Sequence, residues 1–363
     1  MYKIIYVYLV IFLLFFPTGL IAKRAAIIID YETNETLFEV NADTLNYPAS
    51  LVKMMTLYLT FEALEEGRLN WDQKLKVSEV ASSRSPSKLY LEPGSTIEVG
   101  DAVNALIIKS ANDVATVISE SLAKTEREFA KKMTKKAKLL GMNNTIFKNA
   151  SGLPNRAQLT TARDMAILSK AIIRDFPEYY KLFKKEKFQW QDKTYKSHNK
   201  LLKKYDGADG IKTGYTFASG FQLAFSAVRN DRRLIGIYFG GDTSKHRDQT
   251  LKFLMDKEFA EHSSGTKVEA KVEAKVEAKN DPGKYKIVVG TFKYEKNAKR
   301  QIKIVKSVFK SDLKNKEGTI FKLKGQNRNF YETQFIYFEK NEAYKFCSFM
   351  KKNSFDCFVK KKI

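Results

Sequence analysis

Histidine, cysteine and tryptophan are scarce in this 363-residue chain, and two of these scarcities remove a class of chemistry. The three histidines, His198, His246 and His262, include no His-x-x-x-His pair of the kind that a helix-borne zinc site needs. The two cysteines, Cys347 and Cys357, can build neither a four-cysteine metal cluster nor the disulfide framework of a small scaffold. No metal or other cofactor is therefore expected. Acidic residues are also in short supply: 41 Asp and Glu face 64 Lys and Arg, a formal net charge of +23. That excess points to an anionic partner, unless the lysines are simply spread over every surface. The balance of hydrophobic and charged residues argues against wholesale disorder or a polytopic membrane protein. What is present, 44% hydrophobic and 29% charged residues, is a globular balance with length for one large or two ordinary domains.

The chain divides by composition. Lys3 precedes an unbroken apolar run from Ile4 to Phe16, Pro17 and Gly19 break it, and Ala22 offers a small residue for cleavage before Lys23. Residues 1–22 therefore read as a signal peptide and predict export to the periplasm, with an uncleaved inner-membrane anchor as the alternative. Residues 263–283 read as a linker, because Lys-Val-Glu-Ala occurs three times over 267–278 between Ser-Ser-Gly and Asn-Asp-Pro-Gly. The four-residue period stacks Lys on Lys and Glu on Glu at i,i+4, which disfavours a helix and predicts an extended, solvated tether that leaves the flanking modules independent. Those modules are 23–262 and 284–363. The second carries 21 basic and 7 acidic residues and holds most of the charge imbalance. In an oxidising compartment Cys347 and Cys357 are expected to form one local disulfide, two buried thiols being the other reading.

Within the first module, Ala25–Asp30 and Leu37–Val40 read as a hairpin, and Leu51–Leu64, Val103–Leu122 and Phe129–Leu140 as helices. Gly210–Thr213, Gln222–Val228 and Arg233–Gly240 read as strands, with Asn230-Asp231 as a tight turn, and Arg247–Phe259 as a closing helix. The prediction is an α+β fold, an antiparallel sheet built from both chain ends with helices between.

Three short motifs fall on this frame. Ser50-Leu51-Val52-Lys53 stands where Pro48 stops an extended segment and a long helix begins, so Ser50 and Lys53 share a face one turn apart. Helix N-terminal N–H groups can stabilise an oxyanion, and a neutral Lys53 can take the serine proton. Alone this signal is weak, since Ser-x-x-Lys occurs at seven other places. Ser110-Ala111-Asn112 on a helical stretch, and a single Lys212-Thr213-Gly214 on a strand, give it company. Together with Tyr47-Pro48-Ala49, Asn149-Ala150-Ser151-Gly152-Leu153 and Asp209-Gly210-Ile211, these motifs resemble the D-alanyl-D-alanine carboxypeptidases, the low-molecular-mass penicillin-binding proteins, over about residues 25–260.

The resemblance implies a β-lactamase/transpeptidase-like fold with a helical subdomain, a peptidoglycan pentapeptide as substrate and β-lactams as covalent inhibitors. It further implies that Ser50 is the nucleophile, Lys53 the base, Ser110 a proton relay and Asn112 a donor to the substrate amide. Lys212 and Thr213 would hold the terminal carboxylate, Gly214 would keep the strand edge bare for substrate, and the Ser50 and Tyr215 N–H groups would form the oxyanion hole. Arg247 matches a carboxylate-binding position, a surface arginine at a helix start being the alternative. His198 stands where the family often has Arg and is expected to have no role. A β-lactamase-like hydrolase is the nearer rival, but no acidic residue lies between Gly141 and Asp164 to activate a deacylating water. An idle wall-binding scaffold is the rival from another class, and intact Ser50, Lys53 and Lys212 count against it.

The second module reads β-α-β-β-α-β, with strands at Tyr285–Val289, Thr319–Leu323, Tyr331–Glu339 and Phe355–Val359 and helices at Lys296–Phe309 and Glu342–Lys352. Tyr285 to Phe292 and Tyr331 to Phe338, each followed by the opening of a helix, resemble the SPOR domain, which implies binding to denuded septal glycan strands. The same topology serves RNA-binding domains, and the positive charge would suit nucleic acid, but the predicted export argues for no nucleic-acid partner.

Overall fold

Strand β1 (Ala25–Asp30) is buried at every position, a sign that both faces of its sheet are covered. The computed structural model describes residues 24–263, 283–292, 294–324, 329–353, 355 and 357–361; the signal-peptide reading and all but the two ends of the linker fall outside the described residues. β1 pairs antiparallel with β2 (Thr36–Val40), and the sheet is completed by β3 (Ala208–Thr216), β4 (Gly220–Arg229) and β5 (Arg232–Gly241) in the order β2-β1-β5-β4-β3. The β4–β5 turn has positive φ at both Asn230 (48°) and Asp231 (58°), as a type I′ turn requires.

One face of this sheet, with Ile27, Ile29, Ile235, Ile237 and Phe239, packs on the helical core. That core is built from α1 (Val52–Glu65), α2 (Asn112–Leu122), α3 (Glu126–Leu139) and α4 (Ala162–Asp175). Thr125 and Thr161 cap α3 and α4 by accepting from the N–H three residues on. The other face, with Ile28, Leu234 and Phe225, packs on Leu251, Leu254 and Met255 of α5 (Ser244–Ser263). α5 lies so close that a Cβ on Gly236 would stand 2.8 Å from the Met255 sulfur.

One predicted helix is broken. Val103–Leu122 is a short helix at Val99–Asn104, a π-turn at Ala105–Lys109, a left-handed Ser110 (φ 61°, ψ 40°), and then α2. The residues on both sides of the break are buried, so the apolar period runs through it unchanged and conceals it.

In the second module β6 (Tyr285–Phe292), α6 (Glu295–Val308), β7 (Glu317–Lys324), β8 (Asn329–Phe338), α7 (Lys340–Lys352) and β9 (Phe358–Lys361) form a sheet of order β7-β8-β6-β9. The element order is the one the sequence predicts, but the last strand starts three residues later than Phe355. Phe355 N instead donates to Met350 O (2.9 Å), and its ring packs on Phe309 at 5.2 Å. Cys357 therefore precedes the strand, and it is joined to Cys347 by a disulfide.

The modules touch, so they are not the independent units that the charged linker predicts. Phe253 on α5 meets Phe309 at 5.8 Å and Phe349 at 6.1 Å, and Lys257 Nζ donates to Val308 O. The α5 side of the first sheet and the core of the second module form one apolar cluster. Burying these rings gives the two modules a shared apolar contact.

Candidate active site

Ser50 sits in a 3-10 turn, Ala49–Leu51, that runs directly into α1. Ala49 takes a positive φ of 47°, an unusual backbone for a residue with a Cβ and one that holds the Ser50 turn in a fixed shape. One turn on, Lys53 is fully buried. Its Nζ lies 2.7 Å from Asn112 Oδ1, 2.5 Å from the Ser151 carbonyl and 3.4 Å from Ser50 Oγ. Burial pushes the Lys53 ammonium well below the usual lysine range, and the nearby Lys212 pushes the same way. A neutral amine has two N–H bonds and one lone pair. Two carbonyl oxygens, which can only accept, take the two N–H bonds, so the remaining tetrahedral direction, toward Ser50, carries the lone pair. Ser50 Oγ–H can then donate to Lys53 Nζ.

Asn112 opens α2 immediately after the break at Ser110. Its Nδ2 donates to Ser85 O at 2.9 Å, which fixes the amide so that Oδ1 faces Lys53 and one N–H is left for another partner. Ser110 Oγ is buried and has no hydrogen-bond partner among the described residues. A neighbour given no role by the sequence is Asp113, fully buried, whose carboxylate accepts the N–H groups of Leu89, Tyr90 and Leu91 at 3.1, 2.9 and 3.2 Å. It pins the segment that carries Ser85 and Pro86 along the site. The available signal was an acid in the first turn of a helix, next to a motif residue.

β3 is the free edge of the sheet, and Thr213, Gly214 and Tyr215 line a cleft of about 720 Å³ together with Ser50, Ser110 and Asn112. Lys212 is buried behind that lining, donates to Thr213 O at 3.0 Å, and is pushed down to about 7 by burial and by Arg247. Arg247 is only 3% exposed and lines the cleft, so it is not the surface arginine held as an alternative. Its guanidinium donates to Asp248 Oδ1 from Nε and Nη2 and to Gln222 O from Nη1. Gly214 has a second reason to lack a side chain: a Cβ there would stand 3.0 Å from Gln222 Oε1 and 3.3 Å from Pro48 O, crowding the nucleophile's turn. Gln222, which the sequence reading also passed over, donates to Tyr47 O at 2.7 Å and so ties β4 to that turn. The Tyr215 ring is exposed and packs at a tilt on Phe221, with centroids 4.2 Å apart. His198 lies on the cleft wall, where burial and then the charges of Lys212, Lys109 and Arg247 push its imidazole down to about 4. No Asp or Glu lines the cleft among the described residues. Asp164 is turned away, accepting from Asn144 N and Thr145 Oγ1.

A serine and a buried lysine at a helix start, facing the free edge of an antiparallel sheet, place the fold among the penicillin-binding proteins. The structure matches penicillin-binding protein 5 from Haemophilus influenzae with a TM-score of 0.64 and 33% identity, over 67% of this chain and 72% of that one. The chain belongs to the D-alanyl-D-alanine carboxypeptidase family, whose model matches residues 17–243. It is 34% identical over 250 residues to the D-alanyl-D-alanine carboxypeptidase DacF of Bacillus subtilis, covering 66% of this chain and 63% of that protein. It also matches penicillin-binding protein D2 from Listeria monocytogenes, solved in its cefotaxime-bound form, with a TM-score of 0.60 and 33% identity, over 65% of this chain and 96% of that one. The chain spans less than two thirds of the length of the curated relatives it first matches. The second module lies beyond the family match.

Proposed function

We propose that the chain is a serine D-alanyl-D-alanine carboxypeptidase acting on peptidoglycan pentapeptides. Ser50 Oγ attacks the carbonyl carbon of the penultimate D-alanine as its proton passes to Lys53 Nζ. The Ser50 and Tyr215 backbone N–H groups receive the oxyanion. Thr213 and Arg247 hold the terminal carboxylate with Lys212 supporting Thr213 from behind, and the spare Asn112 N–H holds the substrate amide. The C–N bond then breaks, the terminal D-alanine leaves with a proton relayed through Ser110, and water hydrolyses the Ser50 ester. The observation that carries this reading is the pair of carbonyl acceptors that leave the Lys53 lone pair facing Ser50. The same serine opens β-lactams, whose amine stays attached after the ring opens and shields the Ser50 ester from water, and among the described residues no carboxylate lines the cleft to activate one, which sets the reading apart from a β-lactamase. The test is to incubate the full chain with fluorescent penicillin and with a D-Ala-D-Ala-terminated peptide. Covalent label and released D-alanine are expected, and both vanish in Ser50→Ala; label that persists in that variant sinks the assignment.

We further propose where the enzyme acts. The apolar N-terminal segment directs export to the periplasm, and the second module acts as a SPOR domain that concentrates the enzyme on denuded septal glycan. Support comes from the sheet face away from α6 and α7. There Lys286 and Lys360 share the buried Glu332, and each lies over an exposed ring, Phe321 at 5.4 Å and Phe358 at 5.0 Å. Stripping the stem peptide from muramic acid uncovers a carboxylate, so cations beside flat rings suit both the charge and the sugar faces of such a strand. Retention on denuded but not on peptide-bearing sacculi is the expected result, and equal retention on both removes the targeting role.

A further inference from the structure

The two oxygens that aim Lys53 come from separate segments of the chain, and one ion pair stands directly behind both. Arg84 Nη2 donates to Glu126 Oε2, and neither side chain lines the cleft. The other Glu126 oxygen accepts from Ala150 N at 3.0 Å, so it holds the residue that precedes Ser151. On the opposite side Arg84 Nε donates to Thr116 Oγ1 at 2.9 Å, one helical turn after Asn112, and that hydroxyl lies 3.3 Å from Asn112 O. The residue after Arg84 is Ser85, whose carbonyl receives Asn112 Nδ2. The pair therefore ties together α2, the N-terminus of α3 and the Asn149–Gly152 loop, one residue or one turn away from each acceptor of the lysine.

Taking on the reading of Lys53 as general base, we propose that the Arg84–Glu126 pair is the positioning device for that base: it fixes Asn112 Oδ1 relative to the Ser151 carbonyl, so that the Lys53 lone pair falls on Ser50. The charge of Glu126 works against the catalytic state, since a nearby carboxylate favours the protonated lysine. Its contribution is therefore geometric. Stability alone is a poor reason to keep it, because a largely buried ion pair often costs as much in desolvation as it returns. The alignment it maintains is steep in its effect, since displacements near 1 Å in a catalytic constellation cost about a hundredfold in rate.

The test separates binding from acylation. With the full-length chain and a chromogenic β-lactam, stopped-flow traces give the dissociation constant of the non-covalent complex and the first-order acylation rate. Arg84→Met and Glu126→Ala are expected to lower the acylation rate by about 10- to 100-fold while the dissociation constant stays within about twofold. Glu126→Gln, which keeps an acceptor for Ala150 N, is expected to recover about tenfold of that loss relative to Glu126→Ala. Acylation within about threefold of wild type in both Arg84→Met and Glu126→Ala overturns the proposal. So does a Gln variant that folds but acylates no faster than the Ala variant, or a loss that falls on the dissociation constant instead. Lys53→Met is the control: if it leaves acylation intact, the general-base reading is what fails, and if it abolishes acylation while Glu126→Ala does not, only the positioning role fails.

Discussion

Gly152 approaches the Ala49 carbonyl so closely that a Cβ on it would stand 1.9 Å from that oxygen. Both residues hold positive φ, 87° at Gly152 and 47° at Ala49, so two uncommon backbone conformations face each other across the nucleophile's turn. Asn149 Oδ1 holds Gly152 in place by accepting its N–H at 2.7 Å. Gly152→Ala must push the Ala49–Ser50 turn off its seat. Penicillin labelling of Ser50 should fall by about a hundredfold or more, with a stability loss of about 2–4 kcal/mol. Gel labelling and urea unfolding check both numbers, and labelling at the wild-type rate would mean that the turn can move aside without loss of function.

Stability should rise with pH over the range in which buried lysines lose their proton. Lys212 titrates at about 7 when folded and near its ordinary 10.5 when unfolded, so between those values the unfolded chain binds the extra proton. The penalty for burying a charged Lys212 is complete below about pH 7 and is relieved as pH climbs, by at most about 1.4 kcal/mol per unit. Lys53, pushed down for the same reason, acts in the same direction. Above about pH 10 the buried Tyr180, pushed up by burial, begins to oppose the trend, so the measurement belongs between pH 7 and 9. Urea midpoints over that range should climb for the wild type and climb less for Lys212→Met. An equal slope in both proteins would place the titration elsewhere.

Ending the chain after Ser263 uncovers the Phe253 ring and the apolar face around it. Loss of about 1–2 kcal/mol of burial is expected, which for a module of this size lowers the melting temperature by about 3–6 °C. Release of D-alanine from a soluble peptide should change by less than about threefold, because among the described residues neither Phe253 nor any residue of the second module lines the cleft. Phe253→Ser in the full chain should reproduce the thermal loss. A truncated chain that melts at the wild-type temperature would show that the contact contributes nothing.

The strands and the order of the three motifs were legible in the sequence because each rests on local pattern: apolar β1, the Asn230-Asp231 turn, and Lys-Thr-Gly on an edge strand. The break at Ser110 was not, since the apolar period continues across it and the left-handed conformation is imposed by tertiary packing around the site. The site's supporting residues were hidden for another reason. Asp113, Glu126 and Gln222 act through backbone groups far along the chain, such as Leu89 N, Ala150 N and Tyr47 O, and no motif spacing encodes such contacts. Arg247 was legible as a residue but not as a buried one, because its burial depends on Asp248 and on the Gln222 carbonyl. The meeting of the two modules was masked by the linker, whose charge pattern carries no record of Phe253 or Phe309.

The disulfide between Cys347 and Cys357 closes a loop of sequence separation 10 at the end of α7. Both cysteines are buried beside Phe346, whose ring packs on Phe309 at 5.5 Å and on Phe338 at 5.8 Å. On the chain-entropy account so short a loop stabilises by about 2–3 kcal/mol, a large share for a module of this size. Reduction should therefore lower the melting temperature of the second module first. The effect should also reach the first module, because the same helix carries Phe349 onto Phe253. Reduced full-length protein is expected to lose thermal stability in both modules and to be cut sooner by protease in the second, and Cys347→Ala with Cys357→Ala should mimic it. Alkylation of the unfolded, unreduced protein measures the bond directly. No label is expected, and two labelled thiols would show that the cysteines are packed in the core without being joined.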